Sequence, residues 1–139
     1  MAPRRIKHWG WGYEDAPDTP AHLISSLEGY FANFFGIDGY NTLPVPAIND
    51  IKIRKPRVAI PNNLKSILFD THEDRVRHTL GRSLLDYVCI FERQYDNPPD
   101  AVAYVKNEND IVEVMDWAIG ANVAVIPFGG GTSVTGGVE

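Results

Sequence analysis

The stretch that decides the reading is Pro127-Phe128-Gly129-Gly130-Gly131-Thr132-Ser133-Val134, which runs on into Thr135, Gly136 and Gly137. Three consecutive glycines give up side-chain contacts and cost backbone entropy on ordering, so packing does not account for them. What they offer is close approach. Amides unshielded by Cβ atoms can take positive φ and converge on an anion. Thr132 and Ser133 add hydroxyl donors beside those amides, and a diphosphate is the ligand that suits such a nest. The plain alternative is a flexible hairpin or a tight barrel corner, and the glycines alone do not choose between them.

The flanking sequence does more. Residues 101–105 are a short apolar run bounded by Asn97-Pro98-Pro99-Asp100, a strand entered through a turn. Asn107 with Asp110 resembles a capping box. Ile111, Val114, Met115, Ala118 and Ile119 then recur at helical spacing, and Gly120 and Asn122 can end that helix. Residues 123–127 read as a second apolar strand. The order strand, helix, strand, glycine loop implies parallel strands joined by a right-handed crossover. Ligands of parallel sheets gather at the carboxyl ends of strands, where this loop falls. A P-loop is excluded because no Gly-Lys-Ser/Thr follows. Gly131, Ser133 and Gly136 formally match Rossmann spacing, but residues 134–137 are poor helix formers and the Rossmann loop must open a helix.

Working toward the start, residues 83–93 and 74–80 read as two helical pieces broken at Gly81. Residues 37–62, with Pro44, Pro46, Pro56 and Pro61, read as an extended linker with a short strand. Asp18-Thr19-Pro20 offers a helix start, and Leu23, Ile24, Leu27, Tyr30, Phe31 and Phe34 carry an amphipathic helix to Gly36. Residues 1–20, rich in Trp, Gly and Pro, form an irregular arm. The expected division is 1–62 for arm, helix and linker, and 63–139 for an incomplete cofactor-binding domain.

The loop resembles that of the vanillyl-alcohol-oxidase-type flavoproteins, and within them is most similar to the alkyldihydroxyacetonephosphate synthase group. Residues 7–15 (KHWGWGYED) are similar to the Trp-rich opening of that group, Asp74, Arg75, Val76, Arg77 and Gly81 to its Asp-Arg-Val…Gly segment, and Pro99-Asp100 to its approach to the first strand. The resemblance implies an α+β fold: an N-terminal helical arm, then the first βαβ portion of a VAO/PCMH-type FAD-binding domain. It implies that Pro127, Phe128, Gly129, Gly130, Gly131, Thr132, Ser133 and Val134 bind the FAD diphosphate. Some relatives attach the flavin through a His in this loop. Thr132 stands there, so FAD is expected to be non-covalent. The implied activity is exchange of the acyl group of acyl-dihydroxyacetone phosphate for a fatty alcohol, with flavin as electrophile. An FAD-linked D-2-hydroxy-acid oxidoreductase and a non-catalytic binding module are the alternatives. The group's catalytic residues fall outside this sequence, so the chain is expected to be a fragment, inactive alone.

Composition agrees with that picture. With 44% hydrophobic and 22% charged residues in 139, the chain is neither disordered nor fibrous. A net charge of −5 argues against nucleic acid as a partner. Arg4, Arg5, Lys7 and Lys52, Arg54, Lys55, Arg57 read as solvated surface. Asp86 with Arg93 and Glu92 with Arg82 read as helix-surface charge pairs. Cys89, the sole cysteine, reads as a small buried hydrophobe, and no internal disulfide can form. No apolar run approaches the roughly 18 residues of a membrane span, and the basic start lacks a signal-peptide core. The expectation is a soluble protein, cytoplasmic in a bacterium and peroxisomal in a eukaryote, with room for peripheral membrane contact or a homodimer. His8, His22, His72 and His78 show no metal-ligand spacing. Trp9 and Trp11 are expected to await a later domain or a partner subunit. Ser133 lacks a nucleophile elbow.

Overall fold

The computed structural model describes residues 5–37 and 43–136, which fall into two units. One gathers the described residues of Met1–Lys7 and Trp11–Pro44; the other gathers those of His8–Gly10 and Val45–Glu139. Arg4 and Gly137 lie outside the described residues.

In the first unit Ile6 bridges Tyr13 in antiparallel fashion, with Gly12 turning the chain at φ 86°. Helix α1 spans Ala21–Phe35. Pro20 sits at its N-cap, just before the first turn, where a missing N–H costs nothing. Gly36 ends it at φ 64°, its N–H donating to the Ala32 carbonyl, the left-handed stop the sequence offered. No residue of α1 is buried. Its aromatic rings pack on one another instead: Tyr30 stacks on Phe34, and Phe31 on Phe35.

The second unit holds β1 (Leu68–Phe69), α2 (His72–Arg77), α3 (Leu84–Glu92), β2 (Val102–Ala103) and α4 (Glu108–Ala121). Each helix starts on a side-chain cap. Thr71 accepts from the Asp74 amide and Asn107 from the Asp110 amide. Ser83 and Asp86 close a reciprocal capping box. At α4 the expected box is only half formed, because the Asp110 carboxylate reaches past Asn107 to the Lys106 amide at 2.8 Å. Asn122 ends α4 at φ 52°, as anticipated.

Two apolar clusters organise this unit. Ile51, Val76, Ile90 and Tyr95 form one, with Trp9, Ile48, Ile53, Leu80 and Phe91 packed against it. Leu64, Ile67, Leu68 and Val114 form the other, with Trp117 and Ala103 at its edge. Three expectations change here. The Pro-rich stretch is no bare linker, since Pro46 and Ile51 are fully buried. Trp9 packs inside its own unit, whereas Trp11 stays exposed. Cys89 is half-buried on α3 rather than enclosed.

The parallel βαβ pairing is also corrected. β2 pairs antiparallel with β1, Leu68 opposite Ala103 and Phe69 opposite Val102, and residues 123–127 form no strand. The physical reason is coverage. A parallel strand is buried on both faces, yet Val125 and Ile126 here face solvent. The α4 stripe is likewise half-covered: Val114 and Ala118 are buried, while Ile111, Met115 and Ile119 are exposed. The result is a mixed α and β unit around a small two-stranded sheet.

Candidate functional site

The glycine loop forms an open concavity of ≈ 310 Å³ lined by Pro127, Phe128, Gly129, Gly130, Gly131, Thr132 and Ser133. Seven of the eight expected residues are thus brought together. Val134 is not among them and is exposed. Among the described residues no charged side chain lines the pocket. The main-chain amides of Gly129, Gly130, Gly131 and Thr132 meet no acceptor among the described residues. Cβ atoms added at Gly129 would meet nothing within 4 Å, so the main chain there is open to a ligand. The Ser133 carbonyl accepts from the Gly136 amide at 3.1 Å and closes the turn.

Gly131 is fixed by its surroundings. It is buried with φ 64°, and a Cβ there would stand 2.6 Å from Cζ of Phe128. Only glycine meets both conditions. The Phe128 ring lies between Gly131 and His78, its centroid 4.7 Å from the imidazole. His78, at the C-cap of α2, donates from Nδ1 to the Asp74 carbonyl at 2.7 Å and meets Tyr104 edge to face. The Tyr104 hydroxyl in turn donates to Asp74 Oδ1 at 2.8 Å, and its ring rests on Phe69. Burial, and then the bond to Asp74, push the Tyr104 hydroxyl up to about 12. An aromatic column therefore backs the loop. Nothing in the sequence marks Tyr104 or His78 as neighbours of the loop, because the partners lie 26 to 50 positions away and no local pattern joins them.

The Asp74, Arg75, Val76 segment and Pro99-Asp100 meet in a second polar knot. Arg75 is buried and donates to the carbonyls of Pro99 and Arg54, each at 2.7 Å. Arg54 pairs with the Asp100 carboxylate and also donates to the Pro98 carbonyl at 2.6 Å. Arg57 reaches Asp100 with its side chain at 2.8 Å and its own amide at 2.8 Å. Arg57 foremost, with Arg54, holds the Asp100 carboxyl well below the usual carboxylate range. The basic run at 52–57 is accordingly not all solvated surface.

The helix-surface pairs are corrected too. Asp86 is buried in its capping box, and Arg82 is buried, donating to the Gly81 carbonyl at 2.6 Å and the Gly10 carbonyl at 3.1 Å. His72 bonds the Ile51 carbonyl at 2.8 Å and His8 the Pro46 carbonyl at 2.9 Å. Both tie the Pro-rich stretch down. Among the described residues no helix is long and apolar enough to cross a membrane.

No family model matches the chain. Individual relatives do. Alkyldihydroxyacetonephosphate synthase of Trypanosoma brucei brucei is 31% identical over 96% of this chain and 26% of its own length. The enzymes of that name from Caenorhabditis elegans and Dictyostelium discoideum are 29% and 31% identical, over 97% and 88% of this chain. Among solved structures, alkyldihydroxyacetonephosphate synthase in P212121 crystals superposes with a TM-score of 0.73 at 26% identity, covering 96% of this chain and 28% of that one. The P1 form gives 0.72 at 24%. The chain spans about a quarter of the length of the curated relatives it matches. Over nearly all of its own residues, then, this chain is a homologue of the alkyldihydroxyacetonephosphate synthases, corresponding to about a quarter of their length.

Proposed function

We propose that this chain supplies the loop that holds the diphosphate of FAD in an enzyme of the alkyldihydroxyacetonephosphate synthase kind. The observation that carries the reading is that Gly129, Gly130, Gly131 and Thr132 line one pocket while their amides are uncommitted within the described chain. Such amides suit an anion because they are fixed dipoles that need no reorganisation. The donor set is also chemically apt: neutral N–H groups, with the Thr132 and Ser133 hydroxyls beside them. Pro127, lacking an N–H, lies at the start of the nest. With Thr132 where some relatives of the fold carry a flavin-linking His, the cofactor would be held without a covalent bond.

When bound, the flavin would supply the electrophilic centre for exchange of an acyl for an alkoxy group on acyl-dihydroxyacetone phosphate, a step of ether-lipid synthesis. The described residues bind and orient; none is assigned to the chemistry. Residues 63–139 would be the first part of the FAD-binding domain, with 1–62 as its arm, helix and connecting segment. The exposed Ile111, Met115, Ile119, Val125 and Ile126 support this reading, since an apolar face of that extent on a cofactor domain is normally covered.

The test is to purify the full-length protein that carries these residues. It should be yellow, release FAD on denaturation, lose FAD affinity in the presence of pyrophosphate, and exchange acyl for alkoxy groups. Bleaching of the flavin by a D-2-hydroxy acid, without exchange, would transfer the assignment to an oxidoreductase. A colourless protein that takes up no FAD would end it.

A further inference from the structure

The geometry points to His78 as a positioning residue for the glycine loop: its ring holds Phe128 beneath Gly131 and so keeps the loop amides turned into the pocket. The inference rests on the reading that this loop binds the FAD diphosphate, and deepens it. Gly131 takes φ 64° with the Phe128 ring against the place where a Cβ would be, so the ring and the left-handed backbone fit one another. The ring's other neighbour is the imidazole of His78, at 4.7 Å and tilted by 59°. That imidazole is itself anchored at Nδ1 to the Asp74 carbonyl and braced by Tyr104, 5.7 Å away. Asp74 and His78 lie in the second helix and its C-cap, and α2 is tied to the core through Val76. The Gly136 amide bond to the Ser133 carbonyl closes the end of the loop, and the Phe128 ring backs its middle at Gly131. Order in the loop therefore comes from behind, through two rings.

Removing the imidazole leaves a void beside Phe128, and the ring can leave Gly131. The amides are then no longer ordered before the ligand arrives, and that ordering must be met on binding. His78→Asn keeps an N–H that can reach the Asp74 carbonyl but has no ring. His78→Phe keeps a ring against Phe128 but has no N–H. If the ring is what matters, FAD affinity in the full-length protein should fall about tenfold in His78→Asn, the effect of freeing one or two ordered groups. It should stay within about threefold of the parent in His78→Phe.

The measurement is the FAD dissociation constant from flavin fluorescence, with the thermal midpoint of the FAD-free protein alongside. Equal affinities in the two variants overturn the inference. So does a loss of affinity that merely tracks a lowered midpoint. Gly131→Ala separates this failure from failure of the underlying reading. If Gly131→Ala still binds FAD as the parent does, the loop is not the diphosphate site. If Gly131→Ala loses FAD while both His78 variants keep it, the site stands and His78 has no part in it.

Discussion

Arg57 meets Asp100 at two levels, its guanidinium on Oδ2 and its main-chain amide on Oδ1, both at 2.8 Å. The two residues lie 43 positions apart in the chain. Arg54 approaches the same carboxylate from the more buried side and carries on to the Pro98 carbonyl, while Arg75 fixes Pro99. The turn before β2 is thus held by guanidinium groups. Replacing Asp100 with Asn keeps the shape but removes the charge from hydrogen bonds of the kind worth about 1.5–3 kcal/mol each. Asp100→Asn is expected to lower stability by about 2 kcal/mol in urea unfolding. Arg54→Ala should cost more than Arg57→Ala, because Arg57 is the exposed partner and solvent replaces it readily.

The same carboxylate sets an acid limb. Its native pKa is depressed, chiefly by the Arg57 hydrogen bond. The stabilisation is therefore complete above the ordinary carboxylate value near 3.9 and is lost as pH falls below it toward the native value. Unfolding free energy measured from pH 6 downward should fall less steeply below about pH 4 in Asp100→Asn than in the parent. Parallel acid limbs in the two proteins would show that other carboxylates set the slope.

How much of this was legible in the sequence depends on how local the cause is. Helix α4 was readable because its Asn107 cap, its 3.6-residue repeat and its Asn122 stop all lie within sixteen residues. The Gly36 end of α1 and the loop lining of residues 127–133 were readable for the same reason. The pairing of β1 with β2 was not, since two residues of strand show no alternation and their partners, Ala103 for Leu68 and Val102 for Phe69, are distant in the chain. Nor was the burial of Asp86 and Arg82. A carboxylate three residues after Ser83 is a capping box, yet at the level of charge spacing it looks like any exposed helix pair. The Arg54, Arg57, Asp100 knot hid for a further reason: a basic run carries no mark of the acid that will meet it.

At the alkaline end two tyrosines are informative. Burial pushes both Tyr95 and Tyr104 up to about 12, and for Tyr104 the Asp74 hydrogen bond adds to it. A raised native pKa favours the neutral phenol. That stability is present in full below the ordinary value near 10 and is lost as pH climbs from there to about 12. The phenolate absorbance of these two should therefore appear late in an alkaline titration, between 10 and about 12. Tyr104→Phe should remove one phenol from the late stage and cost about 1 kcal/mol at neutral pH, the net worth of one hydrogen bond. If Tyr104→Phe leaves that late stage unchanged, the Asp74 hydrogen bond does not hold the Tyr104 proton.

The capping box of α3 gives a stability prediction independent of any ligand. Ser83 accepts from the Asp86 amide at 3.0 Å, and the Asp86 carboxylate accepts from the Ser83 amide at 2.7 Å. Ser83→Ala is expected to cost about 1 kcal/mol. Asp86→Ala should cost more, because it leaves a buried amide unpaired, at about 1–3 kcal/mol. The double variant should cost less than the sum, since either change breaks the same reciprocal pair. Thermal or urea unfolding of the three variants decides it, and strict additivity would mean the two bonds form separately.

Gly131 and Phe128 offer the sharpest separation of stability from ligand binding. An alanine at 131 faces two obstacles: a left-handed φ, costing roughly 1–2 kcal/mol, and a Cβ only 2.6 Å from Cζ of Phe128. The loop can escape both by leaving its present conformation. It carries little of the core, so the unfolding midpoint should move only slightly, whereas FAD affinity should drop about tenfold or more. Adding Phe128→Leu removes the steric half of the conflict and leaves the backbone half. The double variant should therefore regain part of the lost affinity, never all of it. Fluorescence titration with FAD and with pyrophosphate as competitor reads this directly. Full recovery in the double variant would mean that φ at 131 is immaterial, and no recovery would mean that the Phe128 ring is not what the glycine makes room for.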